Sequence, residues 1–342
     1  MKKLILLLTL TASVFVLSSC SLLGIPLDNE HFPDVAVFTY VRGFDSNSNG
    51  YLSKKEVENA KSFIVWSDCY DLSGIEYLTN LETLSVIHNH CADLSGVETL
   101  TNLKTLTFED QCPDLSGIDK LTSLEKLELY DCVFPETFVF DNKLPVTELT
   151  FKCCVFEKGV LVKNTSVENV TFDGCGVIGD VVFADCDALK DFYADFDPAD
   201  QDMINHFYGV YDPEYFEAMK EQRYSVDLSG CDNLDYARIE DGQLISSVDL
   251  GDCGKLNAFS IFELYYYGED NINDEATLNI CGSPNIKYAT VGLRGLKELD
   301  ISDCPYLISL LETPPTSTEY SIKYETDGGS LYCSNENVVF IK

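Results

Sequence analysis

An internal period of 21 to 22 residues constrains the fold more than any other feature. Leu78-Thr79-Asn80-Leu81-Glu82-Thr83-Leu84-Ser85-Val86-Ile87-His88-Asn89 reads LxxLxxLxVxxN, and 22 residues on Leu100, Leu103, Leu106, Phe108 and Gln111 repeat it. After 21 more, Leu121, Leu124, Leu127, Leu129 and Cys132 do so again, each copy introduced by Asp-Leu-Ser-Gly at Asp71, Asp93 and Asp114. Degenerate copies follow at Leu149-x-Phe151-x-x-Cys154 and Val170-x-Phe172-x-x-Cys175. From residue 181 the grammar tightens. Val181-x-Phe183-x-x-Cys186, Val226-x-Leu228-x-x-Cys231, Val248-x-Leu250-x-x-Cys253 and Leu299-x-Ile301-x-x-Cys304 each precede an apolar residue by three, and a weaker copy has Leu278 and Ile280 with Ser283 in the cysteine position. Alternating apolar side chains make each unit a short strand with one inward face. No single copy can bury that face, so the chain must stack turn upon turn. With strands about 4.8 Å apart, about eleven turns would build a solenoid roughly 50 Å long.

This is the leucine-rich repeat pattern, and the run DLSGIEYLTNLETL resembles the repeats of internalin-type surface proteins. VDLSGCDNL and LDISDCPYL resemble those of surface lipoproteins from Gram-negative bacteria of the gut and mouth, which often carry an EF-hand-like segment ahead of the repeats. The resemblance spans about residues 20 to 312. It implies an α/β-type repeat solenoid, a leucine-rich repeat array of short parallel strands with an N-terminal helical EF-hand-like cap. It is specific for fold and poorly specific for ligand.

Residues 1–19 read as a lipoprotein signal peptide: Lys2 and Lys3 precede a 14-residue apolar stretch, shorter than the roughly 20 residues that span a bilayer. Leu17-Ser18-Ser19-Cys20 resembles a lipobox, so Cys20 is the expected lipidated residue, followed by a linker over 20–33. Membrane attachment is then through acyl chains alone, on a bacterial cell envelope, with the outer membrane or cell surface favoured. Cleavage leaves 21 basic residues against 57 acidic, a net charge of −36 where the full chain has −34. Such a chain repels phosphates, which excludes nucleic acid as a partner. Its 45% apolar content excludes a disordered acidic tail.

Within the expected cap, residues 34–66, Asp45-Ser46-Asn47-Ser48-Asn49-Gly50-Tyr51-Leu52-Ser53-Lys54-Lys55-Glu56 fits an EF-hand loop at each diagnostic position. A hard cation wants oxygen. Asp45, Asn47 and Asn49 offer side-chain oxygens, Tyr51 its carbonyl, Ser53 a direct or water-mediated ligand, and Glu56 two carboxylate oxygens, so Ca2+ is the expected cofactor. Flanking helices are read from Val37, Tyr40, Val41 and Phe44 before the loop and Val57, Ala60 and Ile64 after it. With two formal charges and no second EF-hand in the sequence, affinity is expected in the roughly 0.1–1 mM range.

The 14 cysteines allow three readings. Cys132, Cys154, Cys175, Cys186, Cys231, Cys253 and Cys304 share the repeat column that holds an inward Asn or Cys, with Cys69, Cys91 and Cys112 recurring nearby, which suggests a ladder of buried thiols. Disulfides are the rival, although 13 cysteines remain once Cys20 is set aside. Metal is the third, and His88, His90, Cys91 and Asp93 form the cluster nearest to a zinc set.

The expected solenoid covers 67–312, with inserts at 197–224 and 262–276 and a strand-rich C-terminal cap over 313–342. The inserts carry Phe207, Tyr208, Tyr211 and Tyr215, and Tyr265, Tyr266 and Tyr267, candidates for partner contact because Tyr supplies area at low entropic cost. They could equally pack on the solenoid flank. No nucleophile elbow, phosphate loop or metalloprotease helix occurs, so a monomeric, non-enzymatic binder of a protein or glycan is expected. A purely architectural envelope protein and, remotely, a glycan-processing enzyme are the alternatives.

Overall fold

A computed structural model describes residues 24–110, 114–141, 143–197, 213–220, 222–241, 244–263, 276–293, 295–318, 321–334 and 338–342. The signal segment, Cys20, Cys112, Phe207, Tyr208, Tyr211, Tyr265, Tyr266 and Tyr267 lie outside the described residues. The chain divides into two compact units, Met1–Leu124 and Glu125–Lys342.

In the first unit, helix α1 (Val35–Val41) starts at Asp34, whose carboxylate accepts the Ala36 and Val37 amides, and Arg42–Phe44 tightens into a 3-10 turn. After the 45–56 loop comes α2 (Lys54–Asn59), opened by a reciprocal Ser53/Glu56 capping box. It ends earlier than the sequence spacing suggested. Ile64 is not on a helical face: it lies in the first repeat strand, Ser62–Cys69, where Phe63 and Val65 point inward and Ile64 outward. The helical cap therefore stops near residue 60 rather than at 66.

That strand pairs in parallel with Thr83–Asn89, and the latter with Thr105–Glu109. The Asp-Leu-Ser-Gly signal acquires a physical meaning between them. Asp71, Asp93 and Asp114 each accept the backbone N–H two residues on, from Ser73, Ser95 and Ser116, at 2.8–2.9 Å. Leu72 and Leu94 are buried, and a left-handed glycine then swings the chain into one 3-10 turn, Ile75–Tyr77, Val97–Thr99 or Ile118–Lys120. At Gly74, φ is +98° and a Cβ would lie 2.3 Å from the His31 carbonyl, so glycine is required twice over.

The second unit departs further from the sequence reading. Its main sheet runs in parallel register through Lys126–Tyr130, Glu148–Lys152, Asn169–Asp173, Asp191–Phe196, Tyr236–Asp241, Ala258–Glu263, Tyr288–Gly292 and Gly329–Cys333. A second parallel sheet comprises Phe138–Asp141, Val160–Lys163, Gly179–Phe183, Arg223–Asp227, Leu244–Asp249 and Thr277–Asn279. Short strands at Val133–Phe134, Val155–Phe156 and Gly176–Val177 form a third. The repeat is therefore not a single series of stacked strands. Val170/Phe172 and Val181/Phe183, read as consecutive layers, belong to the main and second sheets. Both sheets need inward side chains at alternate positions followed by a tight turn, so both carry the same local grammar.

Between them the core changes from leucine to phenylalanine. Phe134, Phe138, Phe151, Phe156 and Phe172 are all buried, and two pairs stack, Phe134 on Phe156 at 4.8 Å and Phe151 on Phe172 at 4.9 Å. The boundary assigned at residue 312 also shifts in meaning. Gly329–Cys333 is one more parallel strand of the main sheet, with Leu331 and Cys333 inward. Antiparallel strands Ser321–Thr326 and Thr316–Thr318 then cover its edge.

The cysteines follow the two sheets instead of one column. After main-sheet strands come Cys132, Cys154 and Cys175, and Cys154 Sγ donates to the Leu129 carbonyl one turn below at 3.1 Å. After second-sheet strands, Cys186 donates to Val162, Cys231 to Phe183 and Cys253 to Leu228, each a carbonyl of the preceding turn, at 3.2–3.8 Å, and Cys304, after the strand Glu298–Asp300 that pairs with Val339–Ile341, donates to the Ser283 carbonyl at 3.4 Å. Ser283 holds its expected place: it is buried, donates to the Leu250 carbonyl at 2.7 Å and accepts from the Cys253 amide. Buried Asn164 fills a similar role one turn before Cys186, donating to the Leu144 carbonyl at 3.3 Å. No disulfide joins the twelve described cysteines. Burial pushes the Cys186 thiol up to about 11 and Cys253, Cys304 and Cys333 to about 12, far above the pH where thiolates react.

A labelling experiment follows. In a Cys112→Ser background, a thiol reagent at about pH 8 should modify half-exposed Cys281 first, slowly because partial burial and the carboxylates of Asp300 and Asp303 push its thiol up, and the buried cysteines only upon unfolding. Denatured but unreduced protein that yields few reactive thiols would contradict the ladder.

Candidate recognition surfaces and calcium loop

The 45–56 loop is folded around its own carboxylates. Asp45 accepts the Asn49 amide on Oδ1 at 3.1 Å and the Gly50 amide on Oδ2 at 2.9 Å, while Asn49 Oδ1 accepts from the Tyr51 amide. Gly50, with φ of +82°, makes the sharp turn required at that position. Glu56 is buried and heavily bonded. Its Oε1 accepts from the Ser46 amide, the Ser46 hydroxyl and Asn47 Nδ2, and its Oε2 from the Ser53 amide and hydroxyl, at 2.7–3.0 Å. The Ser53 and Ser46 hydroxyls lead in holding its carboxyl down at about 2.

The donor set is all oxygen, as calcium prefers, and Asn47 and Glu56 already face one another across 3.0 Å. Turning over the Asn47 amide presents its oxygen to the same space. The residues thus fit a hard cation in chemistry and in loop shape. The lone loop also has a partner that the sequence did not disclose: Ile25–Pro26 pairs antiparallel with Tyr51–Leu52, and the Leu27 amide donates to the Gly50 carbonyl at 3.0 Å. A two-residue strand carries no periodicity, so nothing in the sequence could have signalled it.

The zinc set does not assemble. His88 Nδ1 lies 2.8 Å from Asp110 Oδ2, His90 stacks on Tyr70 at 4.9 Å, and buried Cys91 contacts Cys69 at 3.7 Å. Each group is turned to a different neighbour.

Of the insert aromatics, Tyr215 is described. It lies on helix α3 (Pro213–Lys220), half-buried, where its hydroxyl donates to Glu157 Oε1 at 3.0 Å. It packs with Cys153, Val155 and Met219, so it anchors the helix on the solenoid flank, the alternative open for the insert aromatics.

Aromatic side chains do reach solvent on the outer faces of the sheets, at the positions between the inward apolar ones. In the first unit Trp66, the sole tryptophan of the chain, is 62% exposed beside Ile64, in register with Ile87. In the second, strand register aligns Tyr236 with Ala258 and Tyr288, and the next outward row aligns Tyr193, Arg238, Ser260 and Thr290. The Arg238 guanidinium lies 5.7 Å from the Tyr193 ring and pairs with Glu240, which also accepts from the Tyr193 hydroxyl at 3.2 Å. Burial, reinforced by Asp195, pushes Tyr193 up to about 12. The signal for these residues was present in FYADF, YARIED and YATVG, as polar or aromatic residues alternating with the core set.

Among the described residues no helix is long and apolar enough to cross a membrane. No family model matches the sequence, and no curated protein does. Among solved structures, an internalin, inlF, from Listeria monocytogenes is similar at 14% identity over 78% of this chain and 92% of that one, with a TM-score of 0.32. The functional domain of InlJ from Listeria monocytogenes, described as including a cysteine ladder, is similar at 14% identity over 89% and 85%, also with a TM-score of 0.32. The parallel solenoid rests on the strand pairing itself.

Proposed function

We propose that this chain is a lipid-anchored, calcium-braced recognition protein of a bacterial cell envelope, binding a protein or glycan partner without catalysing a reaction. The observation that carries this reading is the outer face of the main sheet in Glu125–Lys342. There Tyr193, Tyr236, Arg238 and Tyr288 stand in register rows on strands roughly 4.8 Å apart. Tyr and Arg are the residues that dominate binding energy at interfaces, and here a parallel ladder holds them rigidly at little entropic cost. Asp45, Asn47, Asn49, Tyr51, Ser53 and Glu56 would hold one structural Ca2+, whose charge would offset the carboxylates of the cap. Leu17-Ser18-Ser19-Cys20 supports attachment through an acylated Cys20.

Immobilised mature protein, with calcium present, is expected to retain a partner from host extracellular or envelope extracts. The double variant Tyr236→Ala/Arg238→Ala should lower retention at least about tenfold. Equal retention by the variant would remove this face, and turnover of a glycan panel by wild type would replace the reading with an enzymatic one.

A further inference from the structure

At the end of the main sheet where the strands begin, bordering that row at Tyr288, lies a cleft of about 540 Å³. Its floor is Asn257 and Lys287; one wall is helix α4 (Pro305–Leu310) with Tyr306 and Ser309, and the other is the hairpin turn carrying Thr326 and Gly329. Backbone bonds fix the floor: the Lys287 amide donates to the Asn257 carbonyl at 2.9 Å, and the Ser330 amide donates to the Lys287 carbonyl at 3.0 Å.

Three features of the cleft point to one ligand chemistry. Tyr288 and Tyr306 present their rings to solvent, 45% and 47% exposed. Such flat, polarisable surfaces suit the C–H faces of a sugar ring. Asn257, Ser309 and Thr326 offer amide and hydroxyl groups that both donate and accept, as a polyhydroxylated ligand requires. The third feature is charge. Among the described residues Lys287 is the one acidic or basic side chain lining the cleft.

Lys287 differs from the lysines that carboxylates neutralise. Lys61 and Lys104 pair with Glu82, Lys126 with Glu128 and Glu148, and Lys190 with Glu168. The Lys287 ammonium instead lies 5.2 Å from the Tyr306 ring centroid, with no carboxylate within ion-pair distance among the described residues. A cation held on an aromatic ring, beside a cleft of ligand size, is available to an anion brought by a ligand.

We propose that this cleft binds an acidic saccharide: a uronic acid carboxylate on Lys287, its ring or its neighbour against Tyr288 and Tyr306, and hydroxyls on Asn257, Ser309 and Thr326. The proposal rests on the recognition reading above and narrows its glycan branch to a place and a charge. An acidic peptide would share the lysine but not the ring and hydroxyl complement.

Calorimetric or NMR titration of the mature chain tests it, with trigalacturonate, a neutral galactose trisaccharide and triglutamate as probes. Trigalacturonate should bind saturably and the other two at least about tenfold more weakly. Lys287→Met should weaken trigalacturonate binding at least about tenfold, and binding should fall between about 20 and about 150 mM salt. Tyr306→Ala should lose at least about fivefold, with Tyr306→Phe close to wild type. Circular dichroism melts of each variant separate lost binding from lost fold. Absent binding by wild type, equal binding by Lys287→Met, or preference for triglutamate overturns the proposal. Because the general reading is tested through Tyr236 and Arg238 with captured partners, the two can fail independently.

Discussion

Replacing Phe151 by alanine should destabilise the Glu125–Lys342 unit by about 3–5 kcal/mol, measured by denaturant unfolding. Phe151 is fully buried, and rings surround it: Phe172 stacks at 4.9 Å, while Phe138 at 5.1 Å and Phe156 at 5.2 Å present their edges. These partners come from both large sheets and from the short third one, so the ring belongs to three layers of contact at once. Truncation removes the transferred apolar surface, opens a cavity, and forfeits aromatic pairs of about 0.5–1.5 kcal/mol each. In a stacked array, damage to one turn uncouples its neighbours, so a broadened or split unfolding transition should accompany the loss. Val139→Ala, at a 55% exposed position of the adjoining strand, should change stability by less than about 0.5 kcal/mol. A Phe151→Ala loss below about 1 kcal/mol would mean that the phenylalanine stack is not the core of this unit.

Glu56→Gln is expected to cost the first unit about 2–3 kcal/mol near neutral pH, because charge-assisted hydrogen bonds are lost and an amide N–H is forced against donors from Ser53 or Ser46. Its second signature is in acid. The folded carboxyl sits at about 2, below its ordinary value near 4.5, so its contribution is complete above about pH 4.5 and is lost as pH falls towards 2. Wild type should therefore lose stability through that window, and Glu56→Gln should lack this component. Trp66 provides the readout, as the sole tryptophan and with its carbonyl accepting from the Tyr40 hydroxyl of α1 at 3.0 Å. Calcium at about 1 mM should raise the wild-type midpoint and leave the variant unmoved. A calcium-independent wild-type midpoint would remove the proposed cation, whereas an identical acid response in the two proteins would remove the hydrogen-bond hub.

What could be read in advance depended on whether the signal was local. Leu84, Val86, Leu106 and Phe108 alternate on strands whose partners lie one period away, so turn and strand declare themselves together. Ser283 was recognisable as a substitute for cysteine because its neighbours kept the pattern. Assignment to a sheet was not recognisable. Val170 and Val181 are 11 residues apart, half a period, but inward alternation followed by a turn cysteine describes either sheet equally. Ile64 was misplaced for a related reason. Its spacing from Val57 and Ala60 is compatible with a helix, whereas the β-branched and aromatic run through Trp66 fits the strand that forms. The outer-face aromatics leave no mark on the period, because Tyr236 and Tyr288 occupy its regular outward positions.

The thiol of Cys231 reaches back to the Phe183 carbonyl although 48 residues separate them, about twice the separation that Cys253 bridges to Leu228. Gly179–Phe183 and Arg223–Asp227 pair directly across the same gap. The ladder counts layers, not residues. A side excursion that leaves and returns at the same level is invisible to it, and so is a single extra residue taken up early in a strand: Arg223–Asp227 and Leu244–Asp249 shift register by one between Tyr224 and Ser225, yet Cys253 still reaches the Leu228 carbonyl. Permissible changes of length are therefore those that restore the register before each rung: whole turns, excursions rooted between rungs, or a bulge ahead of the thiol.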